Sequence, residues 1–212
     1  MADDTGGFGP ATLMALNEAT LRIELGVCAV RDWRLGDASV LLRHTNDQRV
    51  RRNLGDEFQP PSTLYAAARF ILWMQSMRPP TCFAIAVGGE PVGGIGYRLQ
   101  DGLGRVRAEI GYWVSASWWG RGIATAALNW ITAHAFRSQA ELGRLYALSF
   151  AGNPASARVL QKAGYRLEGK LRRNALQDGI LVDQLLHAIL REDWELSVRY
   201  GMTRRILAAS RA

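Results

Sequence analysis

The segment of this sequence best suited to hold a ligand runs from Trp118 to Ala126 and reads WWGRGIATA. It follows an apolar, strand-like run and opens a helix-like run. The first N–H groups of a helix lack partners inside the helix and carry a partial positive charge, so they attract anions such as phosphate. Gly122 and Ala124 add little or no side chain to keep a pyrophosphate away. The segment therefore predicts a phosphate-bearing ligand at the amides of Gly120 to Ala124.

A tight strand-to-helix turn, with Trp118 and Trp119 anchored in the core, is the alternative explanation of the same residues. Short glycine patterns often occur without such a function, so the pattern alone favours neither explanation. A Walker loop is excluded because no Gly-Lys-Ser/Thr follows, and a dinucleotide fingerprint would need its three-glycine spacing.

Other polar residues of the sequence indicate helix capping and packing. Asn153 is placed to cap a helix whose first turn contains Pro154. The histidines stand in separate apolar surroundings without a cysteine or carboxylate at ligand spacing, which is typical of packing. Cys28 and Cys82 lie in apolar runs, as buried reduced thiols do. We therefore expect no metal site.

Length and composition indicate one domain. A chain of 212 residues with 48% hydrophobic content can bury one core and is short for two. We expect a mobile leader over residues 1–20, a domain over 21–199 and a basic tail over 200–212.

The net charge of +7 favours a polyanionic ligand or an acidic neighbour, but the basic residues are dispersed, so no direct nucleic-acid readout is expected. The start resembles no signal peptide and no run of about 18 apolar residues occurs, so we expect a cytoplasmic protein that enters no membrane.

Hydrophobic periodicity and turn signals predict hairpins first, then alternating strands and helices. Asp37 is placed to cap the first helix. The expected strands are 27–33, 82–87, 91–97, 106–114, 144–150, one from 165, and 182–190; the expected helices are 37–44, 47–54, 63–77, 122–136, 154–163 and 192–198. This order fits an α/β or mixed α+β fold built on a mixed sheet.

Several short motifs stand in a characteristic order between residues 27 and 195. They are Leu35-Gly36-Asp37-Ala38, the run AEIGYWV from Ala108 to Val114, the run from Trp119 to Ala124, Asn153-Pro154-Ala155-Ser156, Lys162-Ala163-Gly164-Tyr165, Glu168-Gly169 and Asp193-Trp194. Together they resemble the GCN5-related N-acetyltransferase (GNAT) superfamily, and within it the ribosomal-protein alanine or serine N-acetyltransferases. The resemblance implies the GNAT fold, with a mostly antiparallel sheet of six to seven strands flanked by helices, and transfer of acetyl from acetyl-CoA to an amine.

The resemblance also implies where acetyl-CoA lies. The pyrophosphate would meet the glycine turn, and the pantetheine arm would pair with the edge of strand 106–114 and with Asn153. Ser156 would face the sulfur and relay a proton. Lys162 and Arg158 can reach the 3′-phosphate of CoA, although a solvated helix face explains them as well. The residues assigned to the cofactor are Trp113, Val114, Trp119, Gly120, Arg121, Gly122, Ile123, Ala124, Asn153, Ser156 and Lys162.

Some positions depart from the family pattern. Trp119 stands where the superfamily prefers Gln or Arg, as is usual in the ribosomal-protein branch. Leu160 stands where many members have a tyrosine that acts as general acid, which leaves Ser156 or solvent for that task. Ala175 stands where some ribosomal-protein members carry a glutamate, which points to a different acceptor or a weaker mechanism if that glutamate is essential.

Glu109 is the candidate general base. An α-amino group with a pKa of about 7.7 to 8.0 is already about a tenth neutral at pH 7, whereas a lysine near 10.4 is not, so an N-terminal acceptor needs only a modest base. The resemblance places Glu109 beside the acetyl group, where it can act through a water. The alternative is a solvent-facing glutamate paired with Arg105 or Arg107. The oxyanion is expected to meet a backbone N–H of the same strand.

The acceptor stays open among three classes of function. The first is an acetyltransferase for the N-terminus of a ribosomal or other protein. The second acetylates a small amine such as a polyamine or aminoglycoside; the acceptor region, expected up to about Met77, has few carboxylates, which argues mildly against it. The third is a non-catalytic acyl-CoA-binding module. We expect a monomer or a homodimer.

Overall fold

The computed structural model describes residues 21–54 and 61–209 and is built on one mixed sheet. Its strands are β1 (Arg22–Glu24), β2 (Ala29–Arg31), β3 (Cys82–Val87), β4 (Glu90–Leu99), β5 (Arg107–Val114), β6 (Arg144–Phe150), β7 (Arg166–Gln177) and β8 (Ile180–Leu190). The eight strands lie in the order β1-β2-β3-β4-β5-β6-β8-β7. All neighbours are antiparallel except β5 and β6, which are parallel. The predicted fold class is confirmed, with β1 as an unpredicted strand.

Helices cover both faces of this sheet. They are α1 (Ala38–Thr45), α2 (Gln48–Arg51), α3 (Leu64–Ser76), α4 (Ile123–Ser138), α5 (Pro154–Lys162) and α6 (Arg191–Ala209). One apolar core lies under α4 and α5 and includes Ile110, Leu128 and Leu160. A second core lies under α1 and α3 and includes Trp33 and Ile71. Each face of the sheet is therefore covered by its own helices and its own apolar core.

Asp37 precedes α1 as predicted, but its side chain does not cap that helix. Both carboxylate oxygens instead accept from the buried Arg31 guanidinium of β2, at 2.7 and 2.9 Å. The same carboxylate accepts the Arg34 backbone N–H at 2.8 Å. The capping prediction for Asp37 is therefore wrong, because a buried arginine needs a carboxylate more than the helix end needs a cap.

The predicted limits of the domain stay a prediction. Residues 1–20 and 210–212 lie outside the described residues, while α6 continues well past the expected helix end at Val198. None of the helices in the described ranges is both long and apolar enough to cross a membrane.

The feature that shapes the site is a gap between the parallel strands β5 and β6. Their pairing covers Arg107 with Arg144, Ala108 with Leu145 and Glu109 with Tyr146, and it stops there. Beyond that point β5 stays paired with β4, and β6 stays paired with β8. The facing edges of the two central strands are therefore open toward their carboxyl ends.

Candidate active site

The glycine turn leads from the end of β5 into α4. Gly120 and Gly122 have φ angles of +76° and +77°, the left-handed region that favours glycine, and a Cβ at either position would meet open space. The first backbone hydrogen bond of the helix is donated by Ala126 to the Gly122 carbonyl, at 3.0 Å. Within the described residues, the amides from Gly120 to Thr125 donate to no acceptor. The turn is thus an uncovered set of N–H groups at the positive end of a long helix.

The tryptophans of the turn have different surroundings. Trp118 packs against the core under α4, and the Arg121 guanidinium lies 4.6 Å from the centre of its ring. Trp119 is 47% exposed, so it is not the core anchor that the alternative explanation requires. Its indole N–H donates to the Val114 carbonyl at 2.7 Å. This bond ties the turn to the last residue of β5.

The backbone of β5 alternates between its two neighbours. Ser115 N–H donates to Val92 in the β4 segment at 2.7 Å, whereas the Val106 carbonyl accepts from Gly143 N–H, before β6, at 2.8 Å. Because alternate residues of a strand face opposite neighbours, Ile110, Tyr112 and Val114 present their backbone groups to the gap. The edge assigned to pantetheine is therefore unpaired with β6 from Ile110 to Val114, and at its far end the Val114 carbonyl already accepts from the Trp119 indole.

Trp113 is directed away from this edge. By the same alternation, its backbone faces β4, where it pairs with Gly94. Its indole covers Gly94 on the side of α1 and α3, because a Cβ on Gly94 would stand 2.8 Å from the indole Nε1. Trp113 therefore contributes to the second core, and its assignment to the cofactor receives no support from the geometry.

Glu109 occupies the point where β5 and β6 part. Its side chain is 19% exposed, and Oε2 accepts from the Arg98 guanidinium at 3.0 Å and from the Tyr146 hydroxyl at 3.4 Å. Neither of the partners considered from the sequence is used, since Arg105 pairs with Glu141. Both of these bonds fall on the same carboxylate oxygen, Oε2.

Ser156 reaches the gap from the start of α5. Asn153 caps this helix as predicted, since its Oδ1 accepts the Ser156 N–H at 3.1 Å, and Pro154 lies in the first turn. The Tyr112 hydroxyl of β5 lies 2.9 Å from the Ser156 Oγ and 3.2 Å from the Ser156 carbonyl. Burial raises the pKa of Tyr112 to about 12. Sequence reasoning named Ser156 and missed Tyr112, although Tyr112 lies in the marker run AEIGYWV.

Two further residues near the gap, Leu160 and Ser149, occupy positions comparable with that of Ser156 for a general acid. Leu160, one turn beyond Ser156, is fully buried in the core under α5. Ser149 of β6 is buried too, and in the described part of the chain its hydroxyl has no hydrogen-bond partner. Continuing the β5–β6 register places Ser149 opposite Tyr112 across the gap, on the same face of the sheet.

The remaining assigned residues lie at the edges of the site. Lys162 ends α5, and Arg158 precedes it by one turn; both are exposed. They form a basic edge on the helix whose first turn contains Ser156. Ala175 lies on β7, which pairs with β8 as an outer strand of the sheet.

Among the described residues, the strand surface beside Gly111 is open on the side of α1 and α3. Gly111 lies on β5 between Glu109 and Trp113, it is exposed, and a Cβ added there would meet nothing within 4 Å. On the far side, the Gln177 side chain at the end of β7 donates to the Arg52 carbonyl that follows α2. The β7–β8 hairpin therefore contacts the segment that follows α2.

The histidines have the surroundings expected of packing. His134 stacks on Trp130, with ring centres 5.0 Å apart, and His187 is fully buried on β8. Burial lowers the pKa of both. No group of three or more metal-ligating side chains occurs among residues 21–54 and 61–209.

Comparison with known families agrees with this geometry. Residues 29–166 match the family model described as an acetyltransferase (GNAT) domain. The match covers more than half of the chain, so the protein belongs to the GNAT acetyltransferase family.

Individual relatives point in the same direction. YdaF of Bacillus subtilis (strain 168), whose name describes a ribosomal N-acetyltransferase, is 34% identical over 107 residues, which are 50% of this chain and 57% of YdaF. The N-acetyltransferase p20 of Bacillus licheniformis is 28% identical over 175 residues, 78% of this chain and 93% of p20. The chain spans only about half the length of the first of these relatives.

Solved structures share the fold. RimJ of Mycobacterium smegmatis, solved with CoA-disulfide, has a TM-score of 0.70 and 28% identity, and the match covers 87% of this chain and 95% of RimJ. The ribosomal-protein-S5-alanine acetyltransferase of Vibrio fischeri has a TM-score of 0.72 at 20% identity, over 82% of this chain and 98% of that one. At that identity the second likeness concerns the fold alone.

Proposed function

We propose that this protein transfers the acetyl group of acetyl-CoA to the N-terminal α-amino group of a protein, with ribosomal proteins as the first candidates. The observation that carries the proposal is the open edge of β5. It begins at Glu109, where pairing with β6 stops, and it ends at the uncovered amides of Gly120 to Thr125. A carboxylate and a set of N–H groups without acceptors thus lie at the two ends of the stretch of β5 that is unpaired with β6.

Acetyl-CoA fits this edge by its chemistry. Its pyrophosphate needs N–H donors that have no other acceptor, which the amides from Gly120 to Thr125 supply. Its pantetheine arm contains amides that can pair with a strand edge as an added strand does. The exposed Lys162 and Arg158 offer positive charge for the 3′-phosphate.

The acetyl group then lies between two side chains with different tasks. The amine enters from the side of Gly111, and Glu109 takes its proton directly or through a water. The amine attacks the thioester carbon, and a backbone N–H of β5 that faces the gap stabilises the oxyanion. Ser156, on the opposite face, gives a proton to the departing thiolate. The positive end of α5 favours negative charge on that sulfur.

A protein N-terminus is the acceptor that best suits this opening. An α-amino group is partly neutral at pH 7 and needs less help from a base than a lysine does. The Arg98 guanidinium beside Glu109 is unfavourable for a small polycation. The name of YdaF describes a ribosomal N-acetyltransferase, which makes ribosomal N-termini the first peptides to test.

The test is a thiol-release assay with acetyl-CoA and three panels of acceptors: N-terminal peptides of ribosomal proteins, polyamines and aminoglycosides. The proposal predicts turnover with at least one peptide, and loss of that turnover when the α-amine is blocked beforehand. Turnover confined to polyamines or aminoglycosides would assign the protein to small-molecule acetylation. Saturable CoA binding without turnover on any acceptor would indicate a non-catalytic binding module.

A further inference from the structure

The Tyr112 and Ser156 hydroxyls connect the two sides of the gap. Tyr112 belongs to β5 and Ser156 to α5, which follows β6, and their oxygens are 2.9 Å apart. Both side chains lie on the face covered by α4 and α5, opposite Glu109. The contact spans 44 residues of sequence. It joins the strand that would line the acetyl group to the residue proposed to meet the sulfur.

The helix itself offers no second hydroxyl at this place. One turn beyond Ser156 stands Leu160, which is fully buried and packed in the core. Within the described part of the chain, Tyr112 is the phenol that reaches Ser156. A tyrosine hydroxyl is protonated at neutral pH, and burial extends this range because it raises the pKa of Tyr112 from 10.0 to about 12. It can therefore act as a hydrogen-bond donor throughout the working range.

The direction of this hydrogen bond decides what Ser156 can do. A serine hydroxyl has one proton and can accept as well as donate. If Tyr112 donates to the Ser156 Oγ, the serine proton is left to point at another acceptor. If the serine instead donates to Tyr112, Tyr112 donates to the Ser156 carbonyl 3.2 Å away and the serine proton is used up.

We infer that Tyr112 is a positioning residue for the acetyl transfer: once acetyl-CoA is bound, it donates to the Ser156 Oγ, 2.9 Å away, and the serine proton is then directed at the departing sulfur. This inference rests on the proposed function. When the C–S bond breaks, its electron pair stays on sulfur, and the Ser156 proton moves to that sulfur. Ser156 regains a proton from solvent water, which has received through Glu109 the proton lost by the amine nitrogen. Tyr112 keeps its own proton.

A double-mutant cycle with Tyr112→Phe and Ser156→Ala tests this inference. In the wild-type background, Tyr112→Phe should lower kcat by about tenfold, the size of one lost hydrogen bond. Its Kd for acetyl-CoA and its KM for the acceptor should stay within about twofold, because neither ligand loses a binding contact. In the Ser156→Ala background the same change should cost nothing further.

The cycle separates positioning from a structural role. Ser156→Ala keeps the Ser156 carbonyl, so a tyrosine that merely anchors α5 through that carbonyl would still matter in the alanine background. Tyr97→Phe is the matched control, since it removes another partly buried hydroxyl-to-hydroxyl bond, to Ser138 at 3.2 Å. This control should leave kcat unchanged.

The outcomes distinguish failure of this inference from failure of the proposed function. Equal losses from Tyr112→Phe in both backgrounds, or no loss in either, would overturn the role of Tyr112 while leaving acetyl transfer in place. Full activity of Ser156→Ala would remove Ser156 from the mechanism and overturn the inference with it. Absence of wild-type turnover on every amine would contradict the proposed function itself, and the inference with it.

Discussion

At the scale of single residues, the site divides its work between the two faces of one strand. Glu109 and Gly111 face the layer of α1 and α3, where the amine would arrive. Tyr112 faces α5 and contacts Ser156. Because successive side chains of a strand alternate, β5 can present a base on one side of the thioester and a hydroxyl pair on the other. Neither role requires a metal ligand.

Glu109→Gln is the residue-scale prediction. The amide keeps the size of the side chain and can keep the bonds to Arg98 and Tyr146, but it cannot take a proton. We expect kcat to fall by about 10²-fold or more while the Kd for acetyl-CoA is unchanged. Steady-state kinetics and calorimetry on the same preparation measure both quantities. Glu141→Gln, which changes an exposed glutamate paired with Arg105, is the control. Equal activity of Glu109→Gln and wild type would return Glu109 to a structural ion pair.

At the scale of elements, the decisive feature is that β5 and β6 part after their third residue pair. The gap between β5 and β6 is bordered by several elements. The α1–α3 layer covers one face, α5 covers the other, and the β7–β8 hairpin reaches Arg52 across the opening. These elements are far apart in the chain, so the opening exists only in the folded protein.

Gly111→Val tests this opening. Valine suits an extended strand better than glycine does, so the fold should not lose stability. Its side chain would project into the space above β5, and we expect the KM for the acceptor peptide to rise about tenfold while acetyl-CoA still binds. Gly111→Ala should give a smaller increase. An unchanged KM in both variants would show that the acceptor approaches from elsewhere.

At the scale of the whole molecule, three partly or fully buried histidines link folding to pH. Burial lowers the pKa of His44, His134 and His187 from the ordinary value of 6.5. The unfolded chain therefore takes up protons at a higher pH than the folded one, and the free energy of unfolding should fall as the pH drops from about 7.5 to 5.5. Aspartates and glutamates whose pKa is lowered, such as Glu168, titrate below this window.

Urea unfolding at a series of pH values measures this dependence. His134→Gln should reduce the slope of the free energy of unfolding against pH, because this variant lacks one histidine that takes up a proton more readily in the unfolded chain. A free energy of unfolding that stays constant or rises toward pH 5.5 would contradict the argument.

Much of this fold could be predicted from local pattern. Strands β3 and β6 begin and end where periodicity placed them, at Cys82–Val87 and Arg144–Phe150. The sequence missed β1, since a strand as short as Arg22–Glu24, with all its residues exposed, has no apolar alternation. It also misassigned Asp37, because its burial against Arg31 depends on how β2 packs against α1.

The site was less predictable than the fold. The glycine turn and the Asn153 cap are local features, and the sequence identified both. The distance between Tyr112 and Ser156 depends on the register and divergence of two strands that are not consecutive hairpin partners. Hydrophobic pattern specifies which face a residue occupies but not where a sheet opens.

The central claim is that backbone amides around Arg121 bind the pyrophosphate of acetyl-CoA, and titration calorimetry tests it most directly. Wild type should bind acetyl-CoA with measurable heat. Gly122→Glu should abolish it, because a side chain at φ +77° is strained and its charge would occupy the phosphate site. Gly102→Glu, at another left-handed glycine with open space in the loop before β5, should bind as wild type does. Folded wild-type protein that gives no heat with acetyl-CoA, or Gly122→Glu that binds with an unchanged Kd, would contradict the account.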